Sequence, residues 1–374
     1  MSQLFSPFEL AGITFPNRIV VSPMCQHMAN DGQPSDWHLM HWGHLALSGA
    51  ALIMIESTAV EANGRIGPHC LGLYSDETAH QLGNVLDRVR KYGDARFGVQ
   101  LSHAGRKGSS VRGRVALREG GWRTYAPSAI AVGPDWPVPA DCTMQDLKRI
   151  RHSFAAAARR AEEIGLDVVE LHAAHGYLLH QFLSPLTNRR EDSFGGSAKK
   201  RMRFPLDVFQ AVREVWPTSR PLGVRISGSD WIEGGASIED AIAFATELKV
   251  IGCDFVDVSS GGIATGSRPP QVTSSYQVPF AAAVRTAVGI PTWAVGMIVS
   301  PHQAEEILAQ RASDFICLGR AILDDPRWPW HAAEAMGISI PYPEPYSRSH
   351  FSVWPGAHER WKGGLKSGET VRPA

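Results

Sequence analysis

Val168-Val169-Glu170-Leu171-His172-Ala173-Ala174-His175-Gly176-Tyr177 opens the stretch that decides the fold, and the stretch runs on to Phe204. Val168 to Leu171 read as a buried strand. The run then ends on two imidazoles and a phenol, and from Lys200 an amphipathic helical pattern takes over. A strand that stops on His172, His175 and Tyr177 is poor core material and a plausible place for proton chemistry on an oxygen. One such histidine alone is commonly a hydrogen-bonded structural residue. The cluster becomes a site if the other strands deliver polar groups to the same end.

Working outward, the strand-then-helix unit recurs along the whole chain. Expected strands are Arg18–Ser22, Ala51–Glu56, Arg96–Leu101, Asp167–Leu171, Leu222–Ile226, Asp254–Val258, Thr292–Val295 and Asp314–Leu318. Expected helices are His38–Ser48, Glu77–Lys91, Met144–Ile164, Lys200–Val215, Ile238–Ile251, Phe280–Val288 and Pro301–Gln310. Thr143 with Asp146 and Ser237 with Asp240 resemble capping boxes, and Ser300-Pro301 places a cap before a first-turn proline. Strict alternation without a linker predicts one α/β domain over residues 1–374, a (β/α)8 TIM barrel, in preference to two doubly wound domains. The length beyond the ~250 residues typical of that fold falls in four places. These are an N-terminal cap with a turn at Phe15-Pro16-Asn17, a long loop after strand three (Gly105–Cys142), the segment after strand four, and an extended C-terminal tail. The tail, residues 338–374, is rich in proline and must lie on this barrel or on a neighbouring subunit.

Composition narrows the partners. Lys+Arg and Asp+Glu are both 37, which gives no global attraction to nucleic acid or to an anionic membrane. No apolar run reaches the ~18 residues of a membrane span. MSQLFSPFEL lacks the basic and apolar regions of a signal peptide, and five scattered cysteines suit a reducing compartment, so a cytoplasmic location is expected.

Barrel enzymes build their sites at the C-terminal ends of the strands. Those ends carry Ser22-Pro23-Met24-Cys25, then Thr58-Ala59, then Gln100 with His103, Arg106 and Lys107. Next come His172, His175 and Tyr177, then Arg225, Ser259-Ser260-Gly261-Gly262, Val295-Gly296 and Gly319-Arg320. Three small-residue turns closing the last three strands, with Arg320 on the final one, point to a bound phosphate group. His172-x-x-His175 also has the spacing of a metal-ligand pair, but no third ligand or HExxH glutamate accompanies it, so no metal is assigned. His38, His41 and His44 recur at helical spacing and read as one wet or hydrogen-bonded helix face.

With these residues in place the chain resembles the old yellow enzyme family of flavin-dependent ene-reductases, in its bacterial, thermophilic-like branch. The resemblance is carried by Asn17-Arg18, Ser22 to Cys25, Gln100 to Lys107, Glu170 to Pro185, Asn188 to Arg190, Gly195 to Ser197, Gly319 to Ala321 and Asp325-Pro326. It implies FMN at the barrel mouth and NADPH or NADH as reductant. By that resemblance Ser22, Pro23 and Met24 lie along the flavin, Ala59 meets it through backbone, Gln100 faces its pyrimidine edge and Arg225 its N1/O2 region. Gly319 and Arg320 hold the phosphate, supported by Gly262 and Gly296. Cys25 is the branch's redox-tuning thiol, whereas Cys70, Cys142, Cys253 and Cys317 read as small hydrophobes. His172 and His175 resemble the pair that grips a substrate's carbonyl or nitro oxygen, Tyr177 the proton donor to Cα, and Lys107 a residue near substrate or flavin.

Two positions depart from the pattern. His27 stands where a tyrosine usually frames the substrate, and Lys200 where asparagine is common. Tyr346-x-Arg348 resembles the element that inserts an arginine into a neighbouring subunit's site, which implies a homodimer or homotetramer with Arg348 and His27 both facing substrate. The implied reaction is ping-pong reduction of an activated alkene. Reduction of nitro compounds or nitrate esters, and amine demethylation or dehydrogenation on the same scaffold, are the alternatives. A non-enzymatic flavin-binding barrel is disfavoured by the complete His172, His175 and Tyr177 set.

Overall fold

Short runs of β-branched and aromatic residues, each stopped by Gly, Pro, Ser or Asp, form eight parallel strands that close on one another in the computed structural model. The structure describes residues 2–111, 115–269 and 271–357. The barrel strands are β1 (Ile19–Val21), β2 (Leu52–Ala59), β3 (Arg96–Ser102), β4 (Val168–Ala173), β5 (Leu222–Ser227), β6 (Phe255–Ser259), β7 (Thr292–Ala294) and β8 (Phe315–Leu318). Each pairs with the next in sequence, and β8 pairs with β1. This is the (β/α)8 TIM barrel that the alternation predicts, with strand ends displaced by at most two residues except at β2. There the register shifts between Ile55 and Ser57, and the strand continues against β3 as far as Ala59. An extra residue of that kind bends a strand beside a barrel rim.

The helices are α1 (Asp36–Ala46), α2 (Asp76–Val89), α3 (Met144–Glu163), α4 (Leu178–Leu183), α5 (Ala198–Arg213), α6 (Ile238–Val250), α7 (Val278–Val288), α8 (Pro301–Ala309), α9 (Arg320–Asp324) and α10 (Trp328–Ala335). The three anticipated caps form: Thr143–Asp146, Ser237–Asp240 and Ser300 with Gln303. Lys200 enters only at the start of α5, where its N–H donates to Ser197 Oγ at 3.4 Å. Short α4, α9 and α10 were not foreseen, because their apolar residues merge with the loops around them.

The barrel floor is made by strand starts and an N-terminal hairpin. Asp167, Asp254 and Asp314 each precede a strand and accept an N–H at the start of a neighbouring strand, from Phe97 (2.9 Å), Leu222 (2.8 Å) and Thr292 (3.0 Å). The hairpin Phe8–Leu10 with Ile13–Phe15 closes that end over Phe255, Trp293 and Phe315. Phe255 and Trp293 stack at 3.8 Å, and Phe8 and Phe15 meet Phe315 edge-on. On the other side of each strand, a second and larger core fills the space between strands and helices.

The loop after β3 is tied down by Arg106, which is buried and donates to Ile130 O, Ala131 O and Ile263 O. The described part of the tail lies on its own chain: Tyr342 stacks on Trp330 at 3.9 Å, and Arg327 sits over Trp330 and Tyr346. Arg327 also donates to Leu47 O just after α1, so this contact lies on the floor side of the barrel. The rest of the expected tail, residues 358–374, lies outside the described residues.

Candidate active site

At the mouth, strand register sets the layers. His172, Arg225 and Asp257 are cross-strand partners on β4, β5 and β6, and Gln100 on β3 partners Glu170 on β4. One layer further out, Ser227 partners Ser259. Period-two alternation therefore aims one set of side chains at the barrel axis and holds them there by backbone hydrogen bonds.

The inner layer is charged and closed to water. Arg225 Nε lies 3.0 Å from Asp257 Oδ2, and both residues are buried. Gln100 Nε2 donates to Glu170 Oε1 at 2.7 Å. Burial, then the neighbouring Asp257, pushes the Glu170 carboxyl well above the ordinary range, so it is the protonated member of the pair. Burial also raises Asp257, but Arg225 opposes that rise and keeps Asp257 as its counter-ion.

Above that layer the chain turns sharply. His175 (φ 57) and Gly176 (φ 75) are consecutive left-handed residues. The strain at His175 is held by its N–H donating to Ser227 Oγ (3.2 Å) and its carbonyl accepting from Lys107 Nζ (2.8 Å). The turn brings the rings together: His172 and His175 lie 5.0 Å apart edge-on, and His172 and Tyr177 4.7 Å apart. Lys107 Nζ sits 5.0 Å over the Tyr177 ring.

Burial fixes the protonation of the three rings and brings the lysine into a titratable range. It lowers His172, helped by His175, and lowers His175, helped by Arg225, so both rings are neutral. Burial raises Tyr177 well above its usual value, with Cys25 and Cys70 adding to the effect, and the phenol keeps its proton. Burial and then Arg106 bring Lys107 down to about 8.

Beside this cluster, Cys25 and Tyr177 pack against Cys70, Ile66 and Ala104. The Cys25 thiol is raised by burial, then by Glu56 and Cys70, so it is an S–H group rather than a thiolate. Cys70 is buried as expected of a small hydrophobe, but its Sγ also lies 3.6 Å from His27 Nδ1. His27 is itself left-handed (φ 54). Under the Cys25–His27 loop lies Glu56 on β2, buried, with Oε2 3.7 Å from His38 Nε2. That distance is too long for a hydrogen bond. Burial lifts Glu56 to about 8 and drops His38 to about 4, so the contact is between two neutral groups. His38 is thus the buried end of the histidine face on α1, its Nδ1 accepting from Ser35 N–H at 3.0 Å, whereas His44 is exposed.

The remaining predicted residues divide. Ser22 N–H donates to Leu318 O, which joins the first and last strands, and a Cβ built on Gly319 would lie 3.8 Å from Met24 Sδ. Pro23, Met24, Gly319 and Arg320 therefore share one arc of the rim. Gly296 (φ 115) belongs to the same side: a Cβ there would come within 2.6 Å of Gln277 Nε2. Gly262 is placed differently, among the histidines. Its N–H donates to Ser267 O and its carbonyl accepts from Lys107 at 3.1 Å. Ala59 has its N–H on Leu71 O and its carbonyl on Leu73 N–H, which leaves one carbonyl lone pair. Arg348 is exposed in the turn Glu344–Ser349, two residues beyond Tyr346 on the floor side, and is not brought to its own chain's mouth. In the sequence reading Glu56, Asp257 and Gln277 have no role and Ser259 counts only as part of a small-residue turn; their position at strand ends or in the turns that follow was the one hint.

This rim fits a flavin mononucleotide. A buried amide (Gln100) and a buried cation (Arg225) lie at its inner end, a thioether (Met24) beside it, and a side-chain-free arc with an exposed Arg320 at the outer end. Residues 3–337 match the NADH:flavin oxidoreductase / NADH oxidase family. The chain is 43% identical over 347 residues to an NADPH dehydrogenase of Geobacillus thermodenitrificans, covering 92% of this chain and 98% of the relative. It is 43% identical over 351 residues to an NADPH dehydrogenase of Listeria monocytogenes, covering 93% and 99%. Among solved structures it is similar to morphinone reductase, with 25% identity, a TM-score of 0.77 and 92% of each chain covered. The fold and the site define a flavin-dependent oxidoreductase. The chain belongs to the NADH:flavin oxidoreductase / NADH oxidase family, the old yellow enzymes, and FMN is its cofactor.

Proposed function

We propose that this enzyme is an ene-reductase that uses NADPH to reduce the C=C bond of α,β-unsaturated carbonyl compounds and related activated alkenes. The observation that carries the reading is the meeting of neutral His172 and His175, protonated Tyr177 and cationic Lys107 on the turn that follows β4. Bound FMN would supply the hydride chemistry that couples oxidation of NADPH to reduction of the alkene. Gln100 and Arg225 would hold its inner end, where Arg225 provides positive charge against the negative charge that gathers on reduction. Met24 and Pro23 would line it, while Gly296, Gly319 and Arg320 would receive the phosphate.

His172 and His175 hold the substrate oxygen and stabilise the charge that builds on it. Lys107, fixed by two backbone carbonyls, adds a cation to the same region. Tyr177 supplies the proton to Cα, and its raised pKa keeps that proton available throughout the working pH range. A nitro oxygen meets the same donors, so nitro compounds belong in the substrate range tested. Residues 1–374 form one catalytic domain, and Arg348 completes the site of a neighbouring subunit in a homodimer or homotetramer in the cytoplasm.

The test is direct. Purified protein is expected to be yellow with a flavin spectrum, to bleach on anaerobic NADPH titration and to recolour with 2-cyclohexenone. Colourless protein that FMN does not reconstitute, or reduced protein that no enone or nitro compound reoxidises, overturns the reading.

A further inference from the structure

The partners of the two histidines define where each ring proton sits. Ala174 N–H donates to His172 Nδ1 at 3.2 Å, so neutral His172 carries its proton on Nε2. That Nε2 is 3.3 Å from His175 Nδ1, which therefore accepts. Neutral His175 then carries its proton on Nε2, 2.7 Å from Ser259 Oγ. The Ser259 proton goes on to Gln277 Oε1 at 3.2 Å. Gln277 is oriented by its own Nε2 donating to Val295 O at 3.3 Å, and its Oε1 also accepts from Ser260 Oγ at 2.6 Å. Ser259 and Gln277 are both buried.

Wired in this way, the pair offers a ligand one donor, His172 Nε2–H, and one acceptor, His175 Nδ1. A carbonyl or nitro oxygen takes two donors. We propose that Ser259 is a positioning residue that switches the tautomer of His175, and that the switch lets one site take two ligand classes. In the resting state the Ser259 hydroxyl points to Gln277, and the pair suits a hydroxyl ligand such as a phenol or enol, which both gives and accepts a hydrogen bond. When the Ser259 hydroxyl turns to donate to His175 Nε2, His175 carries its proton on Nδ1 and the pair offers two donors to a ketone or nitro oxygen. The exchange passes through water: one proton arrives on Nδ1 as one leaves Nε2, with no net change in charge. Gln277 Oε1 keeps its hydrogen bond from Ser260 in both states. With a ligand oxygen in place neither arrangement strands a buried polar atom of this group, whereas without one the second arrangement sets two ring N–H groups against each other at 3.3 Å, so the ligand's own chemistry decides between them.

This inference rests on the oxygen-gripping role proposed for His172 and His175, and it is read without turnover. In holoenzyme labelled with 15N-histidine, His175 is expected to show an Nε2–H ring when free and with bound phenol, and an Nδ1–H ring when saturated with cyclohexanone. Gln277→Met removes the acceptor that draws the Ser259 hydroxyl away. It is expected to tighten cyclohexanone about fivefold and to weaken phenol by a similar factor, the scale of one net hydrogen bond. Ser259→Ala is expected to abolish the cyclohexanone-induced switch, and Ser259→Thr to restore it. An Nδ1–H ring in the free wild-type enzyme overturns the proposal. So does a tautomer response that is the same in wild type, Gln277→Met and Ser259→Ala. Intact switching in a protein that reduces no alkene or nitro compound refutes the assigned reaction while leaving the switch standing.

Discussion

Replacing Glu56 by glutamine isolates the cost of keeping a carboxyl under the Cys25–His27 loop. Glu56 is buried, and its pKa is raised from an ordinary 4.5 to about 8. Between those two values the folded chain holds a proton that the unfolded chain has released, so stability falls as pH rises across the window. At roughly 1.4 kcal/mol per pH unit, the loss is about 3 kcal/mol at pH 7 and about 5 kcal/mol beyond pH 8. Glutamine carries no such proton. Equilibrium guanidinium unfolding of holoenzyme and Glu56→Gln, both with excess FMN, is expected to give a difference that widens in favour of the variant from pH 5 to pH 9. The acid side is a built-in control. His38 is lowered to about 4 from 6.5, so it makes stability fall as pH drops through that range, and Glu56→Gln keeps this limb. A stability difference that stays flat from pH 5 to pH 9 would refute the reasoning.

Tyr177→Phe is expected to slow reoxidation of the reduced enzyme by an enone about 100-fold, the scale of a lost general acid, as read by stopped-flow absorbance; an unchanged rate removes Tyr177 from the mechanism. Lys107 titrates near 8, so the wild-type KM for an enone is expected to rise as pH passes 8 and the cation is lost. Lys107→Met should show a higher KM at pH 7 and no such limb. Arg348→Ala is expected to raise KM several-fold, and sedimentation should show wild type as a dimer or larger; a monomer with full activity, or wild-type kinetics in the variant, contradicts a shared arginine. His27→Tyr is expected to change selectivity between small and bulky enones, read as the ratio of kcat/KM values, and identical ratios would leave His27 without influence on substrate.

The barrel was legible because its strands are apolar runs with punctuation at both ends, and parallel strands buried on both faces must read that way. Asp167, Asp254 and Asp314 sharpened the strand starts without having been recognised as their caps. At the site, residues grouped within a few positions of one strand end, such as His172, His175 and Tyr177, declared themselves. Glu56 and Asp257 did not, because one carboxylate inside an apolar strand looks like a solvent-facing position until the closure of the barrel buries it. Ser259 and Gln277 were hidden for a different reason. Their link to His175 crosses from one βα unit to others, and sequence separation carries no trace of it. Gly262 shows the converse hazard: a glycine in the expected turn whose N–H and carbonyl are already engaged at the histidines.

The aromatic floor described above bears on traffic. With Phe8, Phe15, Phe255, Trp293 and Phe315 filling one end, nothing of a cofactor's or substrate's size passes through the barrel axis. On the proposed reaction, reductant and alkene enter and leave by a single doorway and cannot occupy its threshold together. Alternation of the two half-reactions is then a property of the architecture, and excess alkene should compete with NADPH at high concentration simply by standing in its way.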